Sequence, residues 1–510
     1  MRLLRRNLVS VYTVYAASIV SGLVVTPIVL HSIGKVEFGI WALIGSLAVY
    51  LSLLDVGVGP SIVRMGAEYR GRRAPEETSG LASTGLTLYA VVAVLTLPVG
   101  LGLAWVAPLI VDTPEHLVGP TRVATLLLVL GFVVRFPLGL YTNLLIAQQR
   151  WDVTNLANVV SIVLYAGAVV VLIPRTGGLV LLAALTLVAT LVRLVLPLYW
   201  VRRELPGLRF RRALVTRARM RELLSFSWQN FLVHIAARVV FSADVIVVGV
   251  VLGPVAAAFY ALPARLFSLA IGMATAGTNL LYPAYAELEG ADELERQRRL
   301  LRSGLRAGIA VTLLLALPFI LIPDQLLHAW VGPGYSESIA PLVLLGCVLL
   351  VHQPIALLSQ YLLARARQQR LAIVLVATAA ANVALSVVLA GSVGIWGVAF
   401  STLVTDLAAV VYIVPRLVAP VSGVRTRTIL GDLLRPVAPA LAAALVVLVG
   451  VARLFEPETL LGLAPLGALW VAAAAPLLLR FGLGRDEQSA LRRMARPRGA
   501  PQVAPLPEEL

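Results

Sequence analysis

Seven ionisable side chains lie inside long apolar segments of this sequence, where an unpaired charge is costly. In membrane-spanning segments such side chains face a cavity or a charged partner, and they mark the paths of ions or charged substrates. Three are carboxylates, which suit a cation or a proton, and four are guanidinium groups, which suit phosphate oxygens. In chain order they are Asp55, Arg135, Arg193, Arg238, Asp244, Arg265 and Asp406.

Arg238 belongs to a polar stripe, because Asn230, His234 and Arg238 recur every four residues and therefore lie along one side of a helix. A helix that faces lipid would not carry this stripe, so we expect it to line an internal gap. Tyr12 and Tyr15 lie in the equivalent part of the first apolar segment. Arginine grips phosphate, and tyrosine offers a flat face and a hydroxyl to sugar. The five residues are predicted to contact a ligand in that gap, unless Arg238 pairs with an acid and only holds the protein together.

Other intramembrane charges have less specific settings. Arg135 lies two residues before Pro137, where a proline kink opens space in a helix, so we predict that it faces the cavity. Arg265 and Asp244 lie at similar depths in adjacent segments, and the pattern leaves open whether they form a structural ion pair or contact a ligand. Arg193 lies near the end of its predicted segment, and we expect its side chain to extend to the membrane interface.

Three groups are candidates for coupling transport to an H⁺ or Na⁺ gradient. Asp406 lies beside three serine and threonine hydroxyl groups in an apolar segment, and it either binds the ion or neutralises an arginine. His352 and His234 titrate near neutral pH, although an isolated intramembrane histidine also serves as a packing residue. Beyond such an ion, the sequence predicts no cofactor.

Asp55 is followed by Gly57, Gly59 and Pro60, which interrupt a regular helix. A proline removes one helical hydrogen bond, and glycines allow another helix to approach closely. A carboxylate at this break can pair with an arginine such as Arg64 or accept the freed backbone N–H groups. We therefore predict that Asp55 is a hinge and gating residue.

The elements that hold these residues are helices that span a membrane. The chain has 510 residues, 59% hydrophobic and 13% charged, with a mean hydropathy of +0.90. A globular domain is about 45–50% apolar, and long apolar runs without alternation indicate helices. The predicted fold is an all-α integral membrane protein with fourteen spans, at about 8–30, 38–62, 80–105, 121–147, 153–173, 178–200, 222–250, 257–282, 305–323, 338–363, 371–390, 395–415, 436–454 and 463–482.

The distribution of arginine predicts the orientation of the spans. The net charge is +16, and most of the 42 basic residues lie in alternate loops and at the two ends. Basic loops stay in the cytoplasm, so both termini are predicted to be cytoplasmic. The predicted parts are a first lobe, a basic loop, a second lobe, two further spans and a disordered tail, at 1–200, 201–221, 222–415, 416–482 and 483–510.

The two lobes carry an internal repeat. A shift of 219 residues places Gly34 on Gly253 and Glu68 on Glu287. Six spans in each lobe is an even number, so the two lobes have the same orientation in the membrane. We expect them to be related by an axis along the membrane normal and to enclose a central cavity.

The segment IGKVEFGIWALIGSLAVYLSLLDVGVGPSIVR, residues 33–64, resembles the start of bacterial polysaccharide transporters of the Wzx type. These belong to the multidrug/oligosaccharidyl-lipid/polysaccharide (MOP) exporter superfamily. The resemblance implies a protein of the bacterial inner membrane that flips undecaprenyl-diphosphate-linked oligosaccharide to the external leaflet by alternating access. Its implied partners are that lipid, membrane lipid, a polysaccharide polymerase and chain-length proteins. The stretch GKVEFGIWAL does not match the corresponding segment of peptidoglycan-precursor flippases.

Two alternative functions are an ion-coupled multidrug exporter and a membrane glycan polymerase or ligase. The first predicts an acidic cavity, whereas the intramembrane charges here are four positive and three negative. The second requires a large external loop, and the predicted external loops are short. The sequence has no phosphate loop of an ATPase, no Cys/His metal cluster and only one cysteine. We therefore predict a transporter without enzymatic activity, a metal centre or a nucleic-acid partner.

Overall fold

The computed structural model describes residues 2–55, 57–278, 281–365, 367–451 and 459–478. Within these ranges, side chains are not described for residues 2–9, 53, 226–242, 276–277, 283, 368, 451 and 460–461. The described chain is helical throughout, apart from turns and loops, and contains no strand. The protein is therefore an all-α membrane protein, as predicted.

The first half of the chain forms six helices. Their bounds are α1 (Arg2–Leu51), α2 (Val58–Gly71), α3 (Pro75–Ile110), α4 (Glu115–Ala147), α5 (Trp151–Thr176) and α6 (Leu179–Glu204). The second half forms eight more, and the third and fifth of these are short. Their bounds are α7 (Arg217–Leu252), α8 (Pro254–Thr278), α9 (Leu281–Gly290), α10 (Leu294–Leu321), α11 (Pro323–Val331), α12 (Ile339–Ala364), α13 (Gln368–Val393) and α14 (Ile395–Ile413).

Four short helices follow a π-helical turn at Val414–Val418, and a second π-helical segment, Leu445–Val451, separates the last two. They are α15 (Ala419–Ser422), α16 (Thr426–Leu434), α17 (Val437–Ala444) and α18 (Leu460–Leu477). Among the described residues, eleven helical segments are long and apolar enough to cross a membrane. One of them, Ser10–Leu51, covers most of the first predicted span and the first part of the second, and shorter apolar segments of α7 and α18 overlap the seventh and fourteenth.

The repeat is visible in the backbone at Gly34 and Gly253. Gly34 separates two helical stretches within α1 with φ 79° and ψ 171°, and Gly253 joins α7 to α8 with φ 87° and ψ 175°. A positive φ of this kind is easily adopted only by glycine. The two turns lie 219 residues apart in the sequence and have nearly the same backbone angles.

The helix break near Asp55 lies slightly earlier than the sequence indicates. Residues Ser52–Asp55 form a 3₁₀ turn, and Gly57 adopts the left-handed conformation with φ 77° before α2 begins. Pro60 lies in the first turn of α2, where its missing N–H group removes no helical hydrogen bond. Gly57 therefore makes the break, and Pro60 belongs to the new helix.

The hydrophobic core differs between the two ends of the bundle. We call the end with Arg72, Arg150 and Arg367 the arginine-rich end, and the end with Gly34 and Gly253 the opposite end. At the opposite end, buried residues of both halves form a single core. At the arginine-rich end each half has its own core, and Met220 and Leu223 of α7 pack with that of the first half. The two halves are thus packed together at the opposite end.

Lys35, the single lysine, reinforces this closure and forms what we call the Lys35 latch. Its ammonium group donates to the carbonyl oxygen of Gly334 at 3.0 Å. The same group lies 4.9 Å from the ring centre of Phe259 and 4.8 Å from that of Tyr335. Burial of Tyr335 raises the pKa of its phenol, so the ring stays neutral. The latch joins the start of the second span to the second half of the chain.

Replacing Lys35 with alanine is expected to loosen the opposite end. A cation–π contact contributes about 0.5–1 kcal/mol, and a hydrogen bond from a charged group about 1.5–3 kcal/mol, so the open population should rise about tenfold or more. Spin labels at Glu115→Cys and Ser392→Cys, in a Cys347→Ser background, report the distance between the halves. We expect the distribution to shift to longer distances in Lys35→Ala. Arg175→Ala removes an exposed charge at the same end, and an equal shift there would contradict the latch.

The C-terminal helices pack on α10 through a buried carboxylate. Asp432 of α16 accepts from Arg302 Nε at 2.7 Å and from Arg306 Nε at 2.7 Å. Asp432 is 4% exposed, so water does not replace these bonds. Nearby, the Trp470 indole donates to the carbonyl oxygen of Leu314 at 2.9 Å. These contacts fix the last helices to the second half.

We expect Asp432→Ala to destabilise the protein by about 3 kcal/mol, because two arginines lose their common acceptor while Arg302 stays partly hydrated. Thermal unfolding of the full chain in detergent, followed by tryptophan fluorescence, measures this loss. Glu287→Ala removes an exposed carboxylate from α9 and serves as the control. Equal midpoints for the two variants would show that the Asp432 contacts do not stabilise the fold.

Candidate functional site

The first half of the chain encloses a polar cavity of about 230 Å³. It lies among α2, α3, α4, α5 and α6, beside the 3₁₀ turn that ends in Asp55. Its charged and hydrogen-bonding lining includes Asp55, Tyr89, Arg135, Asn143, Asn158 and Arg193. The three charged groups carry a net charge of +1, which favours an anion.

Arg135 and Arg193 both line this cavity. Arg135 lies twelve residues before the end of α4, and Arg193 lies eleven residues before the end of α6, which puts both about 17 Å from the arginine-rich end. Both also line a second cavity of about 160 Å³ between α4 and α6. They are close enough for their charges to repel. Two guanidinium groups that line one cavity favour the binding of an anion there.

Arg135 lines a cavity, and its contact with a ligand remains a prediction, whereas the expectation for Arg193 is wrong. We expected Arg193 to extend to the membrane interface, but its side chain is half-buried and lines both cavities. The reason is that α6 continues to Glu204, beyond the predicted end of the span. The longer helix places Arg193 well inside the bundle.

Asp55 lies at the edge of the cavity beside Tyr89. The Tyr89 phenol is 2% exposed, is within hydrogen-bonding reach of Asp55 and accepts a bond from Asn143 Nδ2 at 3.1 Å. A Cβ atom on Gly59 would lie 3.1 Å from Asn143 Nδ2, so glycine at this position lets α4 approach the break. The gating role of Asp55 remains a prediction, and its place beside the two arginines links it to the cavity.

Tyr15 and Arg265 lie where the two halves meet. A Cβ atom on Gly272 of α8 would be 3.6 Å from the Tyr15 ring, and one on Gly22 of α1 would be 3.1 Å from Arg265 Nη2. The Arg265 side chain is exposed, and Tyr12, one turn before Tyr15, is 57% exposed. Their contact with a ligand between the halves remains a prediction, and none of them lines the first-half cavity.

The predicted stripe on α7 lies in a helix, but its side chains fall outside the described residues. Asn230, His234 and Arg238 belong to the segment 226–242. Their contact with a ligand remains a prediction.

The second half buries a carboxylate, Asp244, that is 3% exposed. Its Oδ2 atom accepts hydrogen bonds from the Tyr260 hydroxyl at 2.9 Å and from Thr402 Oγ1 at 3.1 Å. The sequence left open whether Asp244 pairs with Arg265 or contacts a ligand. The described residues show no bond between these two side chains, and Asp244 is bound by Tyr260 and Thr402 instead. The other oxygen, Oδ1, is buried and has no hydrogen-bond partner among the described residues.

Asn382 of α13 extends this cluster. Its Nδ2 atom donates to Thr402 Oγ1 at 2.9 Å and to Ser401 Oγ at 3.3 Å, and the residue is fully buried. Its Oδ1 atom also has no hydrogen-bond partner in the described part of the chain. Asp244 and Asn382 thus each present a buried acceptor oxygen, and both contact Thr402. Buried acceptors without donors suit a bound cation.

Asp406 and His352 form a neighbouring pair. His352 Nδ1 lies 2.9 Å from Asp406 Oδ2, and Asp406 is 4% exposed. Asp406 also interacts electrostatically with Asp244. The buried site of the second half therefore holds two carboxylates, Asp244 and Asp406, whereas the first-half cavity is positive. Among the described residues, no group of three or more His, Cys, Asp or Glu side chains is arranged to hold a metal ion.

Tyr89, Asn143 and Asn382 were missed by the sequence analysis. Each is a hydrogen-bonding side chain within an apolar segment, which is the same signal that identified Asp55. These residues were not predicted to belong to a site because they carry no charge, and uncharged polar side chains also occur at positions in a membrane helix that only pack against other helices.

A family profile described as "Polysaccharide biosynthesis protein" matches residues 4–289, more than half of the chain. The chain is also similar to the "Uncharacterized membrane protein EpsK" of Bacillus subtilis (strain 168). The two are 23% identical over 443 residues, which cover 84% of this chain and 86% of that protein.

Two solved structures resemble the fold over most of its length. One is "Lipid II flippase MurJ, inward closed conformation", with a TM-score of 0.72 and 12% identity over 93% of this chain and 99% of that chain. The other is an inward-facing multidrug resistance MATE family transporter of the MOP superfamily. Its TM-score is 0.64, with 16% identity over 78% of this chain and 92% of that chain. At these identities the likeness concerns the fold.

Proposed function

The chain belongs to the polysaccharide biosynthesis protein family, and on that premise we propose that it moves a polyprenyl-diphosphate-linked oligosaccharide from the cytoplasmic to the external leaflet. It is a multi-pass membrane protein with the fold of the MOP superfamily, which includes flippases and transporters. The observation that carries the choice of substrate is the pair Arg135 and Arg193, which share one cavity. A diphosphate offers oxygens to both guanidinium groups at once.

In this proposal the head group enters from the arginine-rich end, which faces the cytoplasm. The diphosphate lies between Arg135 and Arg193, and the first sugars contact the amide and phenol groups of Asn158, Asn143 and Tyr89. The polyprenyl tail stays in the lipid. The Lys35 latch opens when the halves rock, and the head group then leaves at the opposite end. No covalent step is required, so the protein acts as a transporter and not as an enzyme.

The energy for this cycle comes, in our proposal, from a cation that binds at Asp244. The unpaired Oδ1 atoms of Asp244 and Asn382 and the hydroxyl of Thr402 provide oxygen ligands. Na⁺ fits better than H⁺, because a proton on Asp244 would leave the Asn382 oxygen without a partner. The alternative is coupling to a proton that binds at the pair of His352 and Asp406, of which Asp406 is buried.

The charge of the first-half cavity weighs against export of a cationic drug. A cavity for such a drug would present an excess of carboxylates, whereas Asp55 is outnumbered by Arg135 and Arg193. The cytoplasmic location of both termini, the bacterial inner membrane, and contact with a polysaccharide polymerase and chain-length proteins also belong to the proposal. They follow from the arginine distribution and from the family.

Deleting the gene in the source cell tests this proposal. We expect the surface polysaccharide to disappear and the lipid-linked oligosaccharide to accumulate in the inner leaflet, where a periodate reagent that cannot cross the membrane does not oxidise it. A plasmid copy of the wild-type gene restores both. If the periodate reagent still oxidises the oligosaccharide in the deletion strain, the proposed substrate is rejected. Deleting any second flippase gene as well excludes compensation by that gene.

A further inference from the structure

A second positively charged pocket lies in the other half of the chain, at the arginine-rich end. Its volume is about 280 Å³. Four arginines line it, from three successive elements: Arg365 and Arg367 after α12, Arg370 at the start of α13, and Arg416 in the π-helical turn after α14. The transport cycle proposed above does not use it.

The pocket has a large excess of positive charge. Arg365 forms an ion pair with Glu289, so its charge is compensated. Arg367, Arg370 and Arg416 are exposed, and the described residues provide no acid or carbonyl oxygen to their guanidinium groups. Three guanidinium groups that converge without a counter-charge repel one another unless an anion binds.

The depth of the pocket indicates which anion is available. Helix α12 ends at Ala364, α13 begins at Gln368, and the span that starts with α14 runs to Ser422, so the pocket lies at the arginine-rich ends of these spans. The remaining lining is apolar and consists of Leu417, Pro420 and Val421. Basic pockets between helix ends at the cytoplasmic surface bind lipid head groups, and the apolar floor suits the glycerol and first acyl carbons.

The backbone at Val414–Val418 carries Arg416 of the pocket. This segment is a π-helical turn, and such turns are rare and frequently found at functional sites. The wider turn presents Arg416 toward the loop that carries Arg367, while Leu417 and Val418 remain buried in the core. The exposed arginine and the buried neighbours are thus held by one rigid segment.

We propose that this pocket binds the phosphate of an anionic phospholipid, and that a lipid with two phosphates, such as cardiolipin, binds more tightly than phosphatidylglycerol. The site lies apart from the transport cavity, which belongs to the first half of the chain. The proposal therefore stands independently of the transported substrate.

Binding of fluorescent cardiolipin to the purified full chain in neutral detergent tests the site. The triple variant Arg367→Gln, Arg370→Gln and Arg416→Gln is expected to weaken binding about tenfold or more, because each arginine near a charged head group contributes about 1 kcal/mol. The matched control is Arg70→Gln, Arg202→Gln and Arg203→Gln, which removes three exposed arginines of the same end from the first half. Binding to this control should equal wild type.

Three outcomes would overturn the proposal. Equal losses in the two triple variants would assign binding to the general surface charge. Release of the bound lipid by an equimolar amount of pyrophosphate would assign the pocket to a soluble anion. Equal binding of fluorescent phosphatidylcholine would exclude recognition of an anionic head group. Equal unfolding midpoints of the two triple variants without lipid confirm that both are folded. Lysine at positions 367, 370 and 416 keeps the positive charge, so we expect this variant to recover part of the affinity for cardiolipin.

Discussion

Translocation of the lipid-linked oligosaccharide is expected to fall about a hundredfold or more when Arg135 and Arg193 are both replaced by glutamine. A hydrogen bond to a charged group contributes about 1.5–3 kcal/mol, and the two guanidinium groups line the same cavity. Loss of both removes the positive charge that offsets the diphosphate, and leaves Asp55 to repel it. Initial rates in proteoliposomes measure the effect.

The matched control for this pair is Arg202→Gln with Arg203→Gln, which removes two exposed arginines from the end of α6. Its rate should equal that of wild type. Lysine at positions 135 and 193 keeps the charge but cannot form paired hydrogen bonds, so we expect an intermediate rate. Wild-type translocation by the Arg135→Gln, Arg193→Gln protein would show that the diphosphate binds elsewhere, and the stripe of Asn230, His234 and Arg238 would be the next candidate.

Replacing Asp244 with asparagine is expected to abolish the acceleration of translocation by a Na⁺ gradient. The asparagine oxygen still accepts from Tyr260 and Thr402, so the packing of α7, α8 and α14 is retained. The negative charge that attracts the cation is lost, and we expect the gradient-dependent rate to fall about tenfold or more. The rate is measured with a Na⁺ gradient and with a pH gradient, each imposed separately.

Asp406→Asn separates the two possible carriers. If Na⁺ binds at Asp244, Asn382→Ala should resemble Asp244→Asn, and Asp406→Asn should keep the response to Na⁺. A response to the pH gradient that Asp406→Asn removes, while Asp244→Asn keeps it, would transfer the coupling role to the pair of His352 and Asp406. Asp152→Asn, in a partly buried ion pair with Arg150 far from this cluster in the first half, is the control for removal of a carboxylate.

Local signals in the sequence were sufficient for much of the fold. Apolar runs and their glycine breaks predicted the helices, and the match of Gly34 to Gly253 is reproduced in the backbone angles of both residues. The pairing of distant side chains was not accessible in this way. Lys35 meets Gly334 across 299 positions, and no periodicity relates these two residues.

In the candidate site, too, local signals were predicted from the sequence and contacts between distant residues were not. Arg135 was assigned to a cavity because a proline follows it, whereas Arg193 was misplaced because its helix continues further than its hydropathy indicates. The orphaned oxygens of Asp244 and Asn382 required coordinates, since an unsatisfied acceptor is defined by what surrounds it. Asp244 was recognised from its charge alone, but its partners Tyr260 and Thr402 come from two other helices and were not predicted.

The most direct test of the central claim uses purified protein in liposomes that contain fluorescent undecaprenyl-diphosphate oligosaccharide. An impermeant quencher is added outside, and loss of fluorescence from the protected leaflet is followed over time. We predict rapid, protein-dependent exposure of this pool by wild type and no export of a cationic dye from the same liposomes. Dye export without lipid exposure, under either ion gradient, would contradict the account and identify the protein as a drug exporter.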